Sequence, residues 1–298
     1  MGATVGLILA VFAISWASIL VRGSGEVPAL VIAFYRMFWS TLFLLGYRML
    51  HRKRGKRENE EGLAIRRWVL LAGGVLALHF VSWISAVQHT FISHALVLGS
   101  THPIFALLLS PLLLRERAGS RVFLAAGFTL IGMVLISGLD WGSNGFRFQG
   151  DVLATISALM FTLYLMIARH LRARVDIISY LISVYGSAAL VLLFGMLVAG
   201  VPLVTYSFRS HMMMIGLALI PTLIGHSLLN HAARHMPAYR VNFSVLGEPV
   251  LASVLAFVLF GEVPRGLFYV GAVLVFGGMV LAFRSGSPQE GCAQEAEG

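Results

Sequence analysis

Residues 242–262, NFSVLGEPVLASVLAFVLFGE, hold a carboxylate, Glu248, in the middle of a long apolar run, and Pro249 follows it directly. A charged side chain at the centre of a bilayer costs about 2.5–3.5 kcal/mol, so Glu248 is not expected to face lipid. Proline frees a backbone carbonyl in the preceding turn, which the water of a cavity can satisfy. With Ser244 one turn earlier, the pattern predicts a site for a substrate amine or a proton, with Pro249 as a hinge. A structural acid paired with another helix is the alternative.

A histidine supplies the next candidate site. His102 precedes Pro103 as Glu248 precedes Pro249, and Ser100 lies just before it. Because histidine titrates near neutral pH, His102 and Glu248 are candidates to exchange a proton, with Pro103 as a second hinge. A neutral histidine that hydrogen-bonds between helices is the alternative.

Two further pairs have the spacing of one helical face. His79 and Trp83 are four residues apart, and an imidazole beside an indole can bind the carboxylate and the side chain of an amino acid. His226 and Asn230 have the same spacing, and the amide can bond an α-amino or α-carboxyl group. Tyr164 is a weaker candidate for the same site. Packing and ordinary interhelical hydrogen bonds are the alternative for all of them.

Arg36 stands beside Tyr35, eight residues past Pro28. A helical rise of about 1.5 Å per residue places it some 12 Å into the membrane, where it is not expected to face lipid. We expect Arg36 to meet backbone carbonyls, an acid or a cavity. A structural role is favoured for Tyr35 and Arg36, with substrate contact as the alternative.

The composition indicates which elements position these side chains. The chain has 298 residues, of which 58% are hydrophobic and only 12% are charged, whereas a soluble domain is about 25% charged. This is the composition of a polytopic membrane protein. The net charge of +9 comes from basic residues between apolar segments rather than on one face, so a nucleic acid is not an expected partner.

A membrane-spanning helix needs about 20 mostly apolar residues. With the N-terminus in the cytoplasm, 17 of the 22 lysine and arginine residues flank the cytoplasmic ends of the segments and 4 lie on the other side, which predicts that both termini are cytoplasmic. Ten segments qualify: 3–21, 28–48, 67–88, 92–114, 120–138, 149–169, 176–200, 211–234, 239–260 and 264–284.

The chain repeats itself at an offset of 146 residues. STHPIFALLLSPLLLRE at 100–116 aligns with LGEPVLASVLAFVLFGE at 246–262, and Pro103 aligns with Pro249. Each half holds five segments, and an odd number inverts the second half relative to the first, as in many secondary transporters. The predicted units are a first repeat at 1–141, a second, inverted repeat at 142–284 and a disordered tail at 285–298.

Several motifs share one order and spacing along nearly the whole chain. They are "FYR" at 34–36, "HP…RE" at 102–116, "GD" at 150–151 and "EP…GE" at 248–262. Together they resemble the EamA-type repeat of the drug/metabolite transporter superfamily. The resemblance implies export or exchange of small metabolites across a bacterial inner membrane, and the chain is most similar to bacterial amino-acid exporters, including those for aromatic amino acids. His102, opposite Glu248, departs from the usual pattern of the family.

The sequence therefore predicts an all-α transporter of ten helices that exports amino acids by alternating access around a midplane cavity. A small-molecule substrate and the lipid bilayer are its expected partners, and no bound cofactor, metal or catalytic residue is expected. The motifs H-E-x-x-H, G-x-S-x-G and G-x-x-x-x-G-K-[ST] do not occur, which disfavours a zinc protease and an ATP-driven pump. The alternatives are an efflux transporter for drugs or other metabolites and a membrane-embedded enzyme or receptor.

Overall fold

The computed structural model describes residues 3–51, 63–89, 92–116, 118–136, 148–171, 175–261 and 266–285, and it is helical through most of them. Four of the ten helices are divided into pieces. In chain order the helices are α1 (α1a Ala3–Ile14 and α1b Ala17–Gly23), α2 (Ala29–Leu50), α3 (Leu63–His89), α4 (α4a Ile92–Gly99 and α4b His102–Leu113), α5 (Ser120–Ile136), α6 (Phe148–His170), α7 (Ile177–Val198), α8 (α8a Phe208–Leu217, the π-helical α8b Ala218–His226 and α8c Ser227–His235), α9 (α9a Ala238–Val245 and α9b Gly247–Phe260) and α10 (Gly266–Arg284).

These helices confirm the predicted fold class, a ten-helix all-α membrane protein. Eight stretches are long and apolar enough to cross a bilayer, and Val97–Leu113 and Ser120–Ile136 are shorter apolar helices. The two repeats hold five helices each and are inverted relative to one another. The predicted disordered tail lies outside the described residues except for Ser285, which directly follows the end of α10 at Arg284.

Successive helices run in opposite directions, so the loops gather at two ends of the bundle. Glu116, just past α4, contacts the start of α9, and we call this the Glu116 end. Ser24, just past α1, accepts a hydrogen bond from Ser210 of α8a, and we call this the Gly25 end after the neighbouring glycine. The two ends are the opposite faces of a multi-pass membrane protein.

Proline determines where α4 and α9 are divided. Pro103 lacks the N–H that would bond the carbonyl of Gly99, and α4a ends at Gly99. Pro249 likewise leaves the carbonyl of Val245 without its helical partner, and α9a ends at Val245. The two breaks therefore occupy the same place in each repeat, at the middle of the bundle.

Close contact between glycines joins α5 to α10. A Cβ added to Gly132 would lie 2.6 Å from the carbonyl oxygen of Gly271, and one added to Gly278 would lie 2.8 Å from the carbonyl oxygen of Ala125. No larger residue fits at either glycine without moving a backbone. Small residues of this kind let helices approach closely in membranes, where dispersion contacts drive their association.

The buried apolar residues form two main clusters. The larger contains residues of α1, α2, α3, α6, α7 and α8, together with Val241 and Val245 of α9a. The smaller contains residues of α4, α5, α9 and α10, together with Met166 of α6. The polar residues near the helix breaks lie where the two clusters meet.

Candidate functional site

A cavity enclosing about 650 Å³ of empty space, its mouth included, lies in the middle of the bundle and toward the Gly25 end. Seven helices contribute its walls: α1, α2, α3, α4, α6, α8 and α9. The lining residues are Ile14, Ala17, Arg36, His79, Phe80, Trp83, Ala95, Gly99, Ser100, His102, Ser157, Ala158, Phe161, His226, Val245, Glu248 and Pro249.

Arg36 of α2 enters this cavity with its guanidinium fixed from two sides. Its Nε–H donates to the Oγ1 atom of Thr222 at 2.7 Å. Its Cζ atom lies 4.0 Å from the centre of the Phe80 ring, a cation–π contact. Since Arg36 is only 1% exposed, these contacts fix the charge inside the bundle, in the wall of the cavity.

The partner of Arg36 depends on the π-helical turn in α8. Pro221 has no N–H to give to the carbonyl of Leu217, and the hydroxyl of Thr222 donates to that carbonyl instead, at 2.8 Å. Local π-helical geometry and a threonine hydroxyl are two ways in which a membrane helix satisfies a carbonyl freed by proline. The same Thr222 oxygen then accepts from Arg36, so the irregular turn holds the guanidinium in place.

Glu248 is half-buried in the cavity wall, two residues past the break in α9. The positive charge of Arg36 attracts its carboxylate. The salt bridge found in the described part of the chain joins other residues. Arg36 and Glu248 therefore line the same cavity without a direct ion pair between them. The cavity therefore holds a cationic group and an acidic group that a ligand can bridge.

Three histidines surround Phe161 of α6. The rings of His79, His102 and His226 lie 5.1, 5.3 and 6.0 Å from the Phe161 ring, centre to centre. The Nδ1 atom of His79 is 3.0 Å from both the carbonyl oxygen and the hydroxyl of Ser157. The Nδ1 atoms of His102 and His226 are buried without a hydrogen-bond partner among the described residues.

Most of the predicted site residues lie in this cavity. The lining residues from that set are Arg36, His79, Trp83, Ser100, His102, His226, Glu248 and the hinge Pro249. The second hinge, Pro103, is buried in the first turn of α4b, directly after His102. Sequence reasoning did not single out Phe80, Phe161, Ser157 or Thr222. The one usable signal was at Thr222, a polar residue next to a proline in an apolar run.

The other predicted residues lie outside the cavity lining. Asn230 and Tyr164 form a layer behind His226: the Asn230 Nδ2 atom donates to the Tyr164 hydroxyl and, at 2.6 Å, to the carbonyl of His226. The hydroxyl of Ser244 donates to carbonyls of its own helix, at 2.9 Å to Val241. Tyr35 lies toward the Gly25 end, where its hydroxyl donates to the carbonyl of Leu203 at 2.5 Å.

The Glu116 end of the bundle is closed by polar contacts among four helices. The Nε atom of Arg169, at the end of α6, donates to the Glu116 Oε1 atom at 2.7 Å. The other carboxylate oxygen of Glu116 accepts from the N–H of Ala238 at 3.3 Å, and Arg169 also donates to the carbonyl of Arg234 at 3.1 Å. We call these residues the Glu116 cluster, and it ties the ends of α4, α6 and α8 to the start of α9.

The donor set of the cavity suits an organic ligand better than a metal ion. The residues that the structure describes include no group of three or more histidine, cysteine, aspartate or glutamate side chains placed to hold a metal ion. What the cavity offers is a guanidinium, a carboxyl group, imidazoles and aromatic rings. Small-molecule sites use such groups to bind charged and apolar parts of their ligands.

Comparisons with known proteins agree with this architecture. A model described as the EamA-like transporter family matches residues 1–138 and 148–284. An uncharacterized transporter of Archaeoglobus fulgidus is 25% identical over 285 residues, which cover 93% of this chain and 95% of that protein. The uncharacterized transporter YdfC of Bacillus subtilis is 25% identical over 194 residues, or 63% of this chain and 61% of that protein. One crystal structure of a protein matches with a TM-score of 0.77 and 19% identity, covering 94% of this chain and 96% of that one, which shows the fold alone.

Proposed function

We propose that this protein exports amino acids, aromatic ones included, by alternating access. The chain belongs to the EamA-like transporter family and is a multi-pass membrane transporter rather than an enzyme. The observation that carries this proposal is the presence of Arg36 and Glu248 in one cavity without a direct ion pair. We further propose that the membrane is a bacterial inner membrane and that both termini are cytoplasmic, as the distribution of basic residues predicts.

A free amino acid carries opposite charges that match these two groups. Its α-carboxylate can take the N–H groups of Arg36 that Thr222 does not use, and its α-ammonium can donate to Glu248. Charge-assisted hydrogen bonds are roughly twice as strong as neutral ones, and they gain further in a site that excludes water. Because the ligand brings one charge of each sign, binding leaves neither protein charge buried and unpaired, the condition that costs most.

The apolar wall of the cavity suits the side chain of such a ligand. Phe80 and Phe161 are 1% and 4% exposed, and Trp83 completes the aromatic surface. Aromatic rings prefer edge-to-face or offset contacts with one another, worth about 0.5–1.5 kcal/mol beyond the area they bury. An aromatic side chain between these rings would therefore be held more strongly than an aliphatic one of equal size.

The arrangement of the two clusters supports access to the site from only one side at a time. Arg36, His79 and His226 belong to helices of the larger cluster, whereas His102 and Glu248 belong to α4b and α9b, whose buried apolar residues are part of the smaller one. In this conformation the Glu116 cluster closes one end, and the cavity extends toward the other. Rocking the clusters against each other would open the Glu116 end and separate Arg36 from Glu248, which would release the substrate.

The test is transport by purified protein in liposomes, with three labelled compounds of one shape: phenylalanine, phenethylamine and 3-phenylpropionate. The proposal predicts uptake of phenylalanine well above both single-charge analogues. Equal transport of phenethylamine would instead support efflux of cationic compounds. The half-buried Glu248 also suits that function, because Thr222 and Phe80 already contact Arg36 and leave Glu248 to pair with a cation. Chemical conversion of a compound without its translocation would contradict both.

A further inference from the structure

Behind His226, away from the cavity, the bundle contains a group of polar side chains. We call Tyr164, Tyr180, Tyr185, Asn230 and Arg234 the polar core. They come from α6, α7 and α8c, and the first four are 0% exposed. None of them lines the cavity, so the substrate site described above does not account for them.

The polar core has many unpaired polar atoms. Among the described residues, ten buried side-chain nitrogen and oxygen atoms lack a hydrogen-bond partner, and six of them lie along this group or at His226. Those six are His226 Nδ1, Asn230 Oδ1, the hydroxyls of Tyr180 and Tyr185, and Arg234 Nε and Nη2. Unpaired polar atoms are costly inside a membrane protein, and such a concentration of them is the usual environment of buried water.

The polar core extends from His226 toward the Glu116 end. The Tyr164 ring is 6.3 Å from the His226 ring, and the Tyr185 hydroxyl faces Tyr164 and Ser227 without completing a hydrogen bond of good geometry to either. Tyr180 follows on α7, and the Arg234 guanidinium carbon lies 5.4 Å from the centre of its ring. His226 and Arg234 are eight residues apart on α8, which corresponds to about 12 Å along the helix.

We propose that a chain of water molecules occupies the polar core and carries protons between the cavity and the Glu116 end, by a route separate from that of the substrate. A hydroxyl passes a proton on by releasing its own proton to one neighbour and accepting another from the next, so no group of the chain is consumed. The proton enters the cavity at His226 and remains there on water or on a titratable neighbour. This inference rests on the transport proposed above, because a proton route has a use only where a substrate moves.

The groups around His226 decide where the proton can stay. Arg36 from α2 and His79 from α3 face it, and Tyr164 faces it from α6. Glu248 and His102 line the same cavity from α9b and α4b. Glu248 is the acidic group of the set, so a proton delivered at His226 would neutralise it and weaken its hold on the substrate ammonium.

Asn230 explains why this route would not leak protons while the cavity faces the Gly25 end. Its Nδ2 atom contacts both the Tyr164 hydroxyl and the carbonyl of His226, so an amide stands between the cavity and the tyrosines. An amide does not hand on a proton as a hydroxyl or a water does. In this conformation the route is therefore interrupted at Asn230, and it conducts after the helices move and the contact is released.

The test uses full-length protein in liposomes that contain the pH dye pyranine. Labelled phenylalanine is added with and without a pH gradient, and exchange of labelled for unlabelled phenylalanine is measured at equal pH. Tyr185→Phe removes one hydroxyl and keeps the ring. We expect it to slow the pH change that accompanies phenylalanine flux by about tenfold, while exchange at equal pH is unchanged. The matched control, Tyr239→Phe, removes a hydroxyl from an equally buried tyrosine of α9a outside the polar core and should alter neither.

A second variant tests whether Asn230 interrupts the proton route. Asn230→Ala is expected to let protons cross without substrate, seen as a decay of an imposed pH gradient that wild-type protein holds. If Tyr185→Phe slows exchange and proton movement equally, or if Asn230→Ala holds the gradient as well as wild type does, the proposed route is wrong. Wild-type phenylalanine flux that ignores a pH gradient overturns the route and leaves the proposed function intact.

If wild-type protein moves no amino acid at all, the proposed function fails and the route is judged by its water alone. A structure at a resolution that shows ordered water then decides. Water molecules bonded to Tyr180, Tyr185 and the Asn230 oxygen would support the hydrated chain. A dry polar core would refute it.

Discussion

The broken helices α4 and α9 share a backbone plan but differ in how their side chains meet the cavity. Each breaks four residues before a proline, yet His102 of α4 is 4% exposed and its carbonyl accepts from Thr162 at 2.9 Å, whereas Glu248 of α9 is half-buried and attracted by Arg36. The two repeats thus keep the same kink, and the second repeat uses it to present a charge. Equivalent positions in repeats need not have equivalent roles.

The largest expected effect is a difference between Glu248→Gln and His102→Gln. Both changes remove titration and keep a polar side chain, but only Glu248 is proposed to hold the substrate ammonium. We expect Glu248→Gln to reduce phenylalanine flux in liposomes by about 30-fold or more, because truncating a buried charge pair costs about 2–5 kcal/mol. His102→Gln should cost much less. Equal losses would show that the two repeats use this position alike.

Arg36→Lys tests the cationic side of the same site. Lysine keeps the charge but loses the planar fork, the bond from Nε to Thr222 and the stacking on Phe80. We expect the KM for phenylalanine to rise about tenfold, as for loss of one hydrogen bond to a charged group. Phenethylamine has no carboxylate and serves as the control where wild type transports it. If its flux falls by the same factor, Arg36 stabilises the fold rather than binding the substrate carboxylate.

Glu116→Gln addresses the closed end of the bundle. It weakens the contacts with Arg169 and Ala238 and should favour opening of the Glu116 end. In a background in which the single cysteine, Cys292, is serine, a cysteine at Ala158 reports access to the cavity. Its labelling by a membrane-impermeant maleimide from the Glu116 side should rise about threefold, since one partly exposed ion pair contributes little. Unchanged labelling would mean that apolar packing alone closes this end.

The smallest expected effect is that of Ser244→Ala. Its hydroxyl bonds only carbonyls of its own helix, an arrangement that contributes little to helix stability. We expect phenylalanine flux to change by less than about twofold. Ser100→Ala, by contrast, removes a hydroxyl from the cavity wall beside the break in α4, and its effect should be larger. The reverse order would place Ser244 in the site.

The fold follows from the sequence because its causes are local. Runs of apolar residues predict the helices, and the two prolines predict the breaks, since proline always removes one backbone bond. The π-helical turn at Ala218–His226 was not predicted. A proline in an apolar run permits a kink, a cavity or a π-helical adjustment, and the choice depends on Thr222 and on Arg36, which is 186 residues away in the chain.

The candidate site follows from the sequence only in part. A polar residue in a membrane helix must find water or a partner, which identifies Glu248, His79 and Asn230 as interior residues. The sequence does not say whether each residue meets water or a protein partner. Asn230 pairs with Tyr164 of another helix, while Glu248 reaches the cavity. Phe161, at the centre of the three histidines, could not be distinguished by sequence from an ordinary core aromatic.

The glycine contacts of α5 and α10 show how the two repeats are related by symmetry. The 146-residue offset relates Gly132 to Gly278 and Ala125 to Gly271. The approach of Gly132 to the carbonyl of Gly271 and that of Gly278 to the carbonyl of Ala125 are therefore one contact made twice, at 2.6 and 2.8 Å. Such a reciprocal contact is the signature of an isologous interface between identical subunits. The two repeats therefore meet at this crossing as the two subunits of an isologous dimer meet, although both belong to one polypeptide.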